Sequence, residues 1–303
     1  MISDGGLRER LATAWGLDRA SVEIHNGGMN SATWFVGQDG VRWVAKAVAP
    51  AARGSFTAGL AVAAALDQAG IAAGAPVPTR DGEVVVEVAG IPLALLTWVP
   101  GEELTGSEAD QRLIGATLAR VHRALRHVSV PGTEHFHWVD PHAAHLGVRP
   151  WVRGAVTAAV EAYDRLAPRT LTWGLLHTDP SPEAFRLAAG TCGLLDWSVA
   201  MKGPFLYDLA SAVMYTGGTA CAAPLIESYL ADGPIPRPEA ERALAVMVRF
   251  RWAVQADYFA RRIATDDLTG IADATGNEKG LADAYAALRP YNSVSTGGCC
   301  LGG

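Results

Sequence analysis

The sequence predicts an α+β fold on three observations. Strand-like alternation crowds the first third of the chain, helical periodicity fills the last half, and a proline-broken loop joined to a hairpin lies between them. Residues 6–15 carry apolar side chains at helical spacing (Leu7, Leu11, Ala14), and residues 22–24, 33–37 and 41–48 follow as three strands, an antiparallel opening. Half of the 303 residues are apolar, enough for two lobes sharing one cleft. A formal net charge of -6 gives no general attraction to nucleic acid or to an anionic membrane. No apolar run approaches the ~20 residues of a membrane span. The N-terminal MISDGGLRER lacks the apolar core of a signal peptide, so the expected location is cytoplasmic.

The turn after the first strand, residues 25–31, contains Gly27 and Gly28, which permit close backbone approach, and Asn30 and Ser31, which add short side-chain donors suited to a phosphate. One hairpin later Lys46 stands on an otherwise apolar strand, where a charge is costly unless it is used. Residues 55–70 read as an Ala- and Leu-rich helix that contains no Glu. Residues 76–96 read as two more strands turning at Asp81-Gly82, and Thr97, Trp98 and Val99 leave the last of them.

Residues 175–197 organise the rest. Leu175 and Leu176 end a strand, residues 177–183 form a loop broken by Pro180 and Pro182, and two apolar runs around Ala189-Gly190 form a hairpin. The hairpin brings Asp196 back to the rim that carries Asp179. Converging carboxylates suit phosphoryl transfer with a divalent metal, one orienting an attacking hydroxyl and the other holding the metal against phosphate oxygens.

Residues 107–127 form an amphipathic helix with Ser107 as N-cap. The histidine-rich residues 134–145 have a spacing that fits no single helical face and read as a substrate-side loop rather than a metal site. Helices are expected at 151–167, 209–215, 225–231, 239–265 and 279–288, and residues 291–303 as a flexible tail.

His177, Asp179, Asp196 and Trp197 match the HGDxxxxN and I-D-W/F segments of the aminoglycoside phosphotransferase and homoserine-kinase-like superfamily, which residues 5–290 resemble. The Asn position falls on Ala184, and Gly59 stands where wider kinases place a helix Glu. The resemblance implies a bilobal protein-kinase-like fold: an N-lobe over 1–97, a mainly helical C-lobe over 98–290, and ATP and Mg²⁺ between them. On this reading Asn30, Ser31 and Lys46 hold phosphates, Thr97, Trp98 and Val99 meet the base, and Asp179 is the catalytic base, with His177 supporting its loop. Asp196 holds the metal, helped by Glu183, a hard ligand one residue before the vacant Asn position. In this superfamily C-terminal helices form the acceptor pocket, which here implicates Trp252, Asp257 and Tyr258. Asp208 would cap the following helix and tie the active loop to it. The acceptor is a small alcohol. Alternatives are a ribosomally made peptide, suggested by the Ser, Thr and Cys residues of the tail, or a pseudokinase that scaffolds a partner enzyme.

Overall fold

The computed structural model describes residues 2–25, 31–136 and 139–289; Asn30 and the tail lie outside them. Five antiparallel strands form the N-terminal sheet: β1 (Ser21–His25), β2 (Ser31–Gln38), β3 (Val41–Val48), β4 (Val86–Val88) and β5 (Ile91–Thr97), in the order β1-β2-β3-β5-β4. Period-two alternation divides its faces. Trp34, Val36, Ala45, Ala47, Leu93 and Leu95 bury against Leu7 and Leu11 of the N-terminal segment, which comprises α1 (Asp4–Arg10) and a wider turn through Trp15. On the other face Val48 and Ala94 meet Phe56 and Leu60 of α2 (Arg53–Gln68).

The second hairpin turns at Ala89 (φ 50°) and Gly90 (φ 77°), not at Asp81-Gly82. The earlier turn is a local one, with Thr79 Oγ1 accepting from the amides of Asp81 and Glu83 at 3.3 and 3.1 Å. The chain before it pairs with β5 over a single bridge, through Val77 N to Leu95 O at 2.7 Å and Thr97 N to Ala75 O at 2.9 Å.

In the helical lobe α3 (Glu108–Leu125) begins with a capping box in which Ser107 and Asp110 exchange hydrogen bonds. After α4 (Val152–Arg165) comes β6 (Trp173–Leu176), then the 177–184 loop and the hairpin of β7 (Phe185–Ala188) and β8 (Thr191–Leu194), turning at Ala189-Gly190 as expected. An additional strand, β9 (Met201–Pro204), pairs with β6. Its Gly203 and Pro204 are tolerated in so short a strand. Then follow α5 (Leu206–Tyr215), α6 (Ala223–Asp232), α7 (Arg237–Ala264) and α8 (Thr275–Leu288), around one continuous core. Reciprocal backbone bonds of 3.0 Å join Glu102 to Leu187 and fasten the segment leaving β5 to the β7–β8 hairpin.

Candidate functional site

The alternation that buries Ala45 and Ala47 puts Lys46 on the opposite, cleft-facing side of β3, only 7% exposed. Its ammonium donates to Asp196 Oδ1 and to Ser198 Oγ, the latter at 3.3 Å, and Ser198 donates to Asp196 at 2.5 Å. The lysine therefore pairs directly with the carboxylate of the opposite lobe, and the missing helix Glu has a steric reason. A Cβ on Gly59 would stand 2.0 Å from the Trp197 carbonyl oxygen, so α2 packs its backbone against the chain that carries Asp196 and Ser198. Burial in the cleft raises the pKa of Asp196, but the Lys46 charge and the Ser198 hydroxyl outweigh it and bring the group down to about 2.

The 177–184 loop is held by Asp208, which is fully buried on the first turn of α5. Its carboxylate accepts from the amides of His177 (2.7 Å) and Thr178 (2.8 Å) and from His122 Nε2 at 3.1 Å. It caps no helix, since α5 begins at Phe205 without a side-chain cap; of the two expected roles only the tie to the loop is present. The latch also holds Thr178 at φ 75°, a left-handed conformation that a β-branched residue disfavours. His177 is buried: Nε2 meets the Leu195 carbonyl at 2.5 Å, Nδ1 accepts from Asp179 N at 3.3 Å, and the ring packs edge-on against Trp197. Those contacts make it a positioning residue between the loop and the hairpin.

Burial depresses the pKa of His122 below its ordinary 6.5, with Asp208 opposing the shift. The neutral ring suits the network, Nε2 donating to Asp208 while Nδ1 accepts from the Tyr229 hydroxyl at 2.7 Å. A base with a depressed folded value stabilises fully above its unfolded value of 6.5 and loses that contribution as pH falls below it. Urea unfolding is expected to show wild-type stability declining below pH 6.5, with a shallower decline in His122→Gln. Equal slopes in the two proteins would contradict this.

Asp179 projects from the latched loop with half of its side chain exposed. Its Oδ1 accepts from the Tyr215 hydroxyl at 2.5 Å and from Arg251 Nη2 at 3.0 Å, while Arg251 Nε donates to Ser211 at 3.0 Å. Burial opposes the charge of Arg251, but the Tyr207 and Tyr215 phenols and Asp179 outweigh it and raise its pKa. Burial likewise raises the pKa of the Tyr215 phenol, keeping it a donor. Tyr215 did not stand out in the sequence, and Arg251 was only one of several charged residues on the longest C-terminal helix. The available signal was an arginine within the buried apolar stripe of Leu244, Met247 and Val254 on α7, the same anomaly that singled out Lys46.

At the mouth of the cleft Trp98 lies edge-on to Phe35 (5.3 Å between centroids) and beneath the Arg42 guanidinium (3.7 Å). Val99 packs over Gly193. Thr97 shares the face of Trp43 and Leu95, away from Lys46, and its amide is bonded to Ala75 O at 2.9 Å. Ser31 opens β2 opposite Val48. Glu183 is exposed on a short turn (Pro182–Ala184), and Ala184 is buried with its carbonyl accepting from Leu195 N at 2.8 Å. Among the described residues no three His, Cys, Asp or Glu side chains converge on a shared metal position.

The three acceptor candidates on α7 do not come together. At ~100° per residue, Tyr258 lies on the stripe of Arg251, while Trp252 is rotated to one side and Asp257 to the other. Trp252 packs against the core, Asp257 is buried with His145 Nε2 at 2.7 Å, and the Tyr258 hydroxyl accepts from Arg262 at 3.3 Å.

Among proteins of known sequence, the chain is 29% identical to a homoserine kinase of Xanthobacter autotrophicus over 155 residues, 46% of this chain and 47% of that one. It is 27% identical to a homoserine kinase of Rhizobium johnstonii over 61% of this chain and 62% of that one. The chain thus spans about half to three fifths of the curated relatives it matches. In fold it is similar to the amicoumacin kinase hAmiN (TM-score 0.71, 14% identity, 94% of this chain and 93% of that one). It is also similar to a choline/ethanolamine kinase family protein from Mesorhizobium loti (TM-score 0.67, 16% identity, 95% of each chain). These neighbours share the bilobal architecture of an antiparallel sheet lobe and a helical lobe. A model of the phosphotransferase enzyme family matches residues 21–244, and the chain belongs to that family.

Proposed function

We propose that this protein is a phosphotransferase that passes the γ-phosphoryl group of ATP, with Mg²⁺, to the hydroxyl of a small-molecule acceptor. One observation carries the reading. His177 joins two polar clusters: Lys46 with Asp196 and Ser198, reached through the Leu195 carbonyl at its Nε2, and Asp179 with Arg251 and Tyr215, reached through the Asp179 amide at its Nδ1. Homoserine kinases among the relatives and the choline/ethanolamine kinase family protein among the fold neighbours support a small hydroxyl acceptor.

The donors present fit a small, hard cation. Asp196 Oδ2 has no hydrogen bond from the described residues, and Mg²⁺ is commonly held by one or two carboxylates together with phosphate oxygens and waters. Asp196 is the principal ligand, and Glu183, exposed on the same loop as Ala184, is the residue to replace the missing Asn. When bound, Mg²⁺ neutralises charge on the phosphate oxygens. Lys46 adds a positive charge to the same oxygens, and the Trp98–Phe35–Arg42 cluster offers a stacking face for the base. Asp179 is fixed through Oδ1 by Tyr215 and Arg251, leaving Oδ2 to orient the acceptor hydroxyl and accept its proton. His177 and Asp208 hold the loop in which this happens.

The test is ADP release from Mg-ATP with a panel of small alcohols, run beside Asp179→Asn. Turnover is expected to fall ~10²–10⁴-fold in the variant, the range for a positioned general base, with stabilisation by nucleotide retained. Equal turnover in both proteins removes Asp179 from the chemistry. Stabilisation by nucleotide without any ADP release would make the chain a binding protein.

A further inference from the structure

We propose that Arg251 is a catalytic residue of the transfer, its Nη1 donating to the phosphoryl group as that group arrives beside Asp179; the proposal rests on the phosphotransferase reading above. Arg251 is 7% exposed, and two of the three nitrogens of its guanidinium are committed. Nε donates to Ser211 Oγ at 3.0 Å, and Nη2 donates to Asp179 Oδ1 at 3.0 Å and to the Tyr215 hydroxyl at 3.2 Å. Nη1 has no partner among the described residues. It is not sealed off either, because the fully enclosed side-chain atoms without a partner are Gln111 Oε1 and Arg120 Nε. The two Nη atoms belong to one rigid fork, so the opening at Nη1 lies beside the Asp179 carboxylate, whose side chain is 52% exposed.

Charge balance says what enters there. Asp179 is the one carboxylate paired with Arg251 among the described residues, and the Tyr215 phenol bonded to both keeps its proton, since burial raises its pKa. In the transfer the acceptor O–H bond breaks and its proton goes to Asp179 Oδ2. The acceptor oxygen forms its bond to the γ-phosphorus, and the bond from that phosphorus to the bridging oxygen of ATP breaks, its electron pair leaving with ADP. The proton cancels the charge of Asp179 and leaves a buried cation without its counter-ion, which a guanidinium cannot relieve by releasing a proton of its own. The phosphoryl group brings negative charge to the same place in the same step, bonded now to the oxygen that gave up the proton. Arg251 therefore changes partners. It neutralises Asp179 before the transfer and the new phosphate ester after it, and a planar fork with a free N–H edge suits phosphate oxygens.

The probe is aluminium fluoride with Mg-ADP, which stands in for the transferring phosphoryl group and needs no known acceptor. Its half-saturating concentration is to be read from thermal stabilisation of wild type, Asp179→Asn, Arg251→Met and Tyr215→Phe, each saturated with Mg-ADP. Asp179→Asn imitates the protonated base, so Arg251 is free from the start and half-saturation is expected to fall ~10-fold, the scale of one charge-assisted hydrogen bond. In Arg251→Met it is expected to rise ~10-fold or more on the same scale. Tyr215→Phe takes the other donor from Asp179 Oδ1 but removes no charge, and it is expected to bind the probe as the wild type does. Mg-ADP alone stabilises all four proteins and so reports on their folding. The proposal is overturned if aluminium fluoride adds nothing to Mg-ADP in the wild type, or if Asp179→Asn binds it no more tightly. It is overturned equally if Arg251→Met binds it as the wild type does, or if Tyr215→Phe loses as much as Arg251→Met. Should Arg251→Met fail to fold, the Asp179→Asn result decides alone. A wild type that Mg-ADP does not stabilise would instead overturn the phosphotransferase reading.

Discussion

Asp208→Asn is expected to lower stability by about 2–4 kcal/mol, a loss measurable by urea unfolding, and to reduce any Mg-ATP-dependent turnover far more than it weakens nucleotide binding. The carboxylate is fully buried and accepts from three donors: two backbone amides of the active loop and one imidazole. Hydrogen bonds to a charged acceptor contribute roughly 1.5–3 kcal/mol each, and removing that acceptor leaves its donors buried and unpaired. An asparagine keeps the shape but turns an NH₂ group toward at least one N–H, whichever way its amide lies. Thr178 at φ 75° would then lose the bond that holds it in a disfavoured conformation, and Asp179 would leave its geometry with it. An unchanged unfolding midpoint in Asp208→Asn would remove the latch from this account.

Gly59→Glu, which writes back the helix acid of wider kinases, is expected to abolish rather than improve activity. Its Cβ would meet the Trp197 carbonyl oxygen at 2.0 Å and the Trp197 carbonyl carbon at 2.7 Å, both backbone atoms that cannot rotate away. Overpacking of this kind costs about 1–3 kcal/mol, and the displacement falls on the chain that carries Asp196 and Ser198. Gly59→Ala should show most of the loss, because the clash is with the first carbon. Gly54→Ala on the same helix is the control: nothing lies within 4 Å of its Cβ, so a gain of about 0.4–1 kcal/mol is expected from reduced freedom of the unfolded chain. If Gly59→Ala unfolds at the same urea concentration as Gly54→Ala, the close approach is not a constraint.

The sheet lobe, the long helices and the loop-hairpin were legible because each carries a periodicity that its burial requires. Lys46 was visible as a charge on an apolar strand, and Asp179 and Asp196 as carboxylates at the two ends of a loop and hairpin. The turn at Asp81-Gly82 was misread because two glycine turns lie close together, and the one at Ala89-Gly90 has an alanine in the left-handed region where sequence reasoning looks for Gly or Asn. The tie of Asp208 to the active loop came with the resemblance, whereas the His122 arm of that network could not be read, because His122 and Asp208 meet only through packing. The grouping of Trp252, Asp257 and Tyr258 failed for a simpler reason: chemically attractive residues close in sequence need not share a face of a helix.

Close approaches run between α2 with the segment after it and the chain that carries the site, and they restrict how the cleft can open. A Cβ on Gly59 would stand 2.0 Å from the Trp197 carbonyl oxygen, one on Gly193 would stand 2.7 Å from the Ala72 carbonyl oxygen, and Leu194 N donates to Ala72 O at 3.0 Å. Ala58, Val62, Ala63 and Leu66 of α2 sit in the same core as α3. Backbone held against backbone on α2 and just beyond it leaves that helix no room to slide: it rides with the helical lobe, and any opening has to come from the strands moving against it.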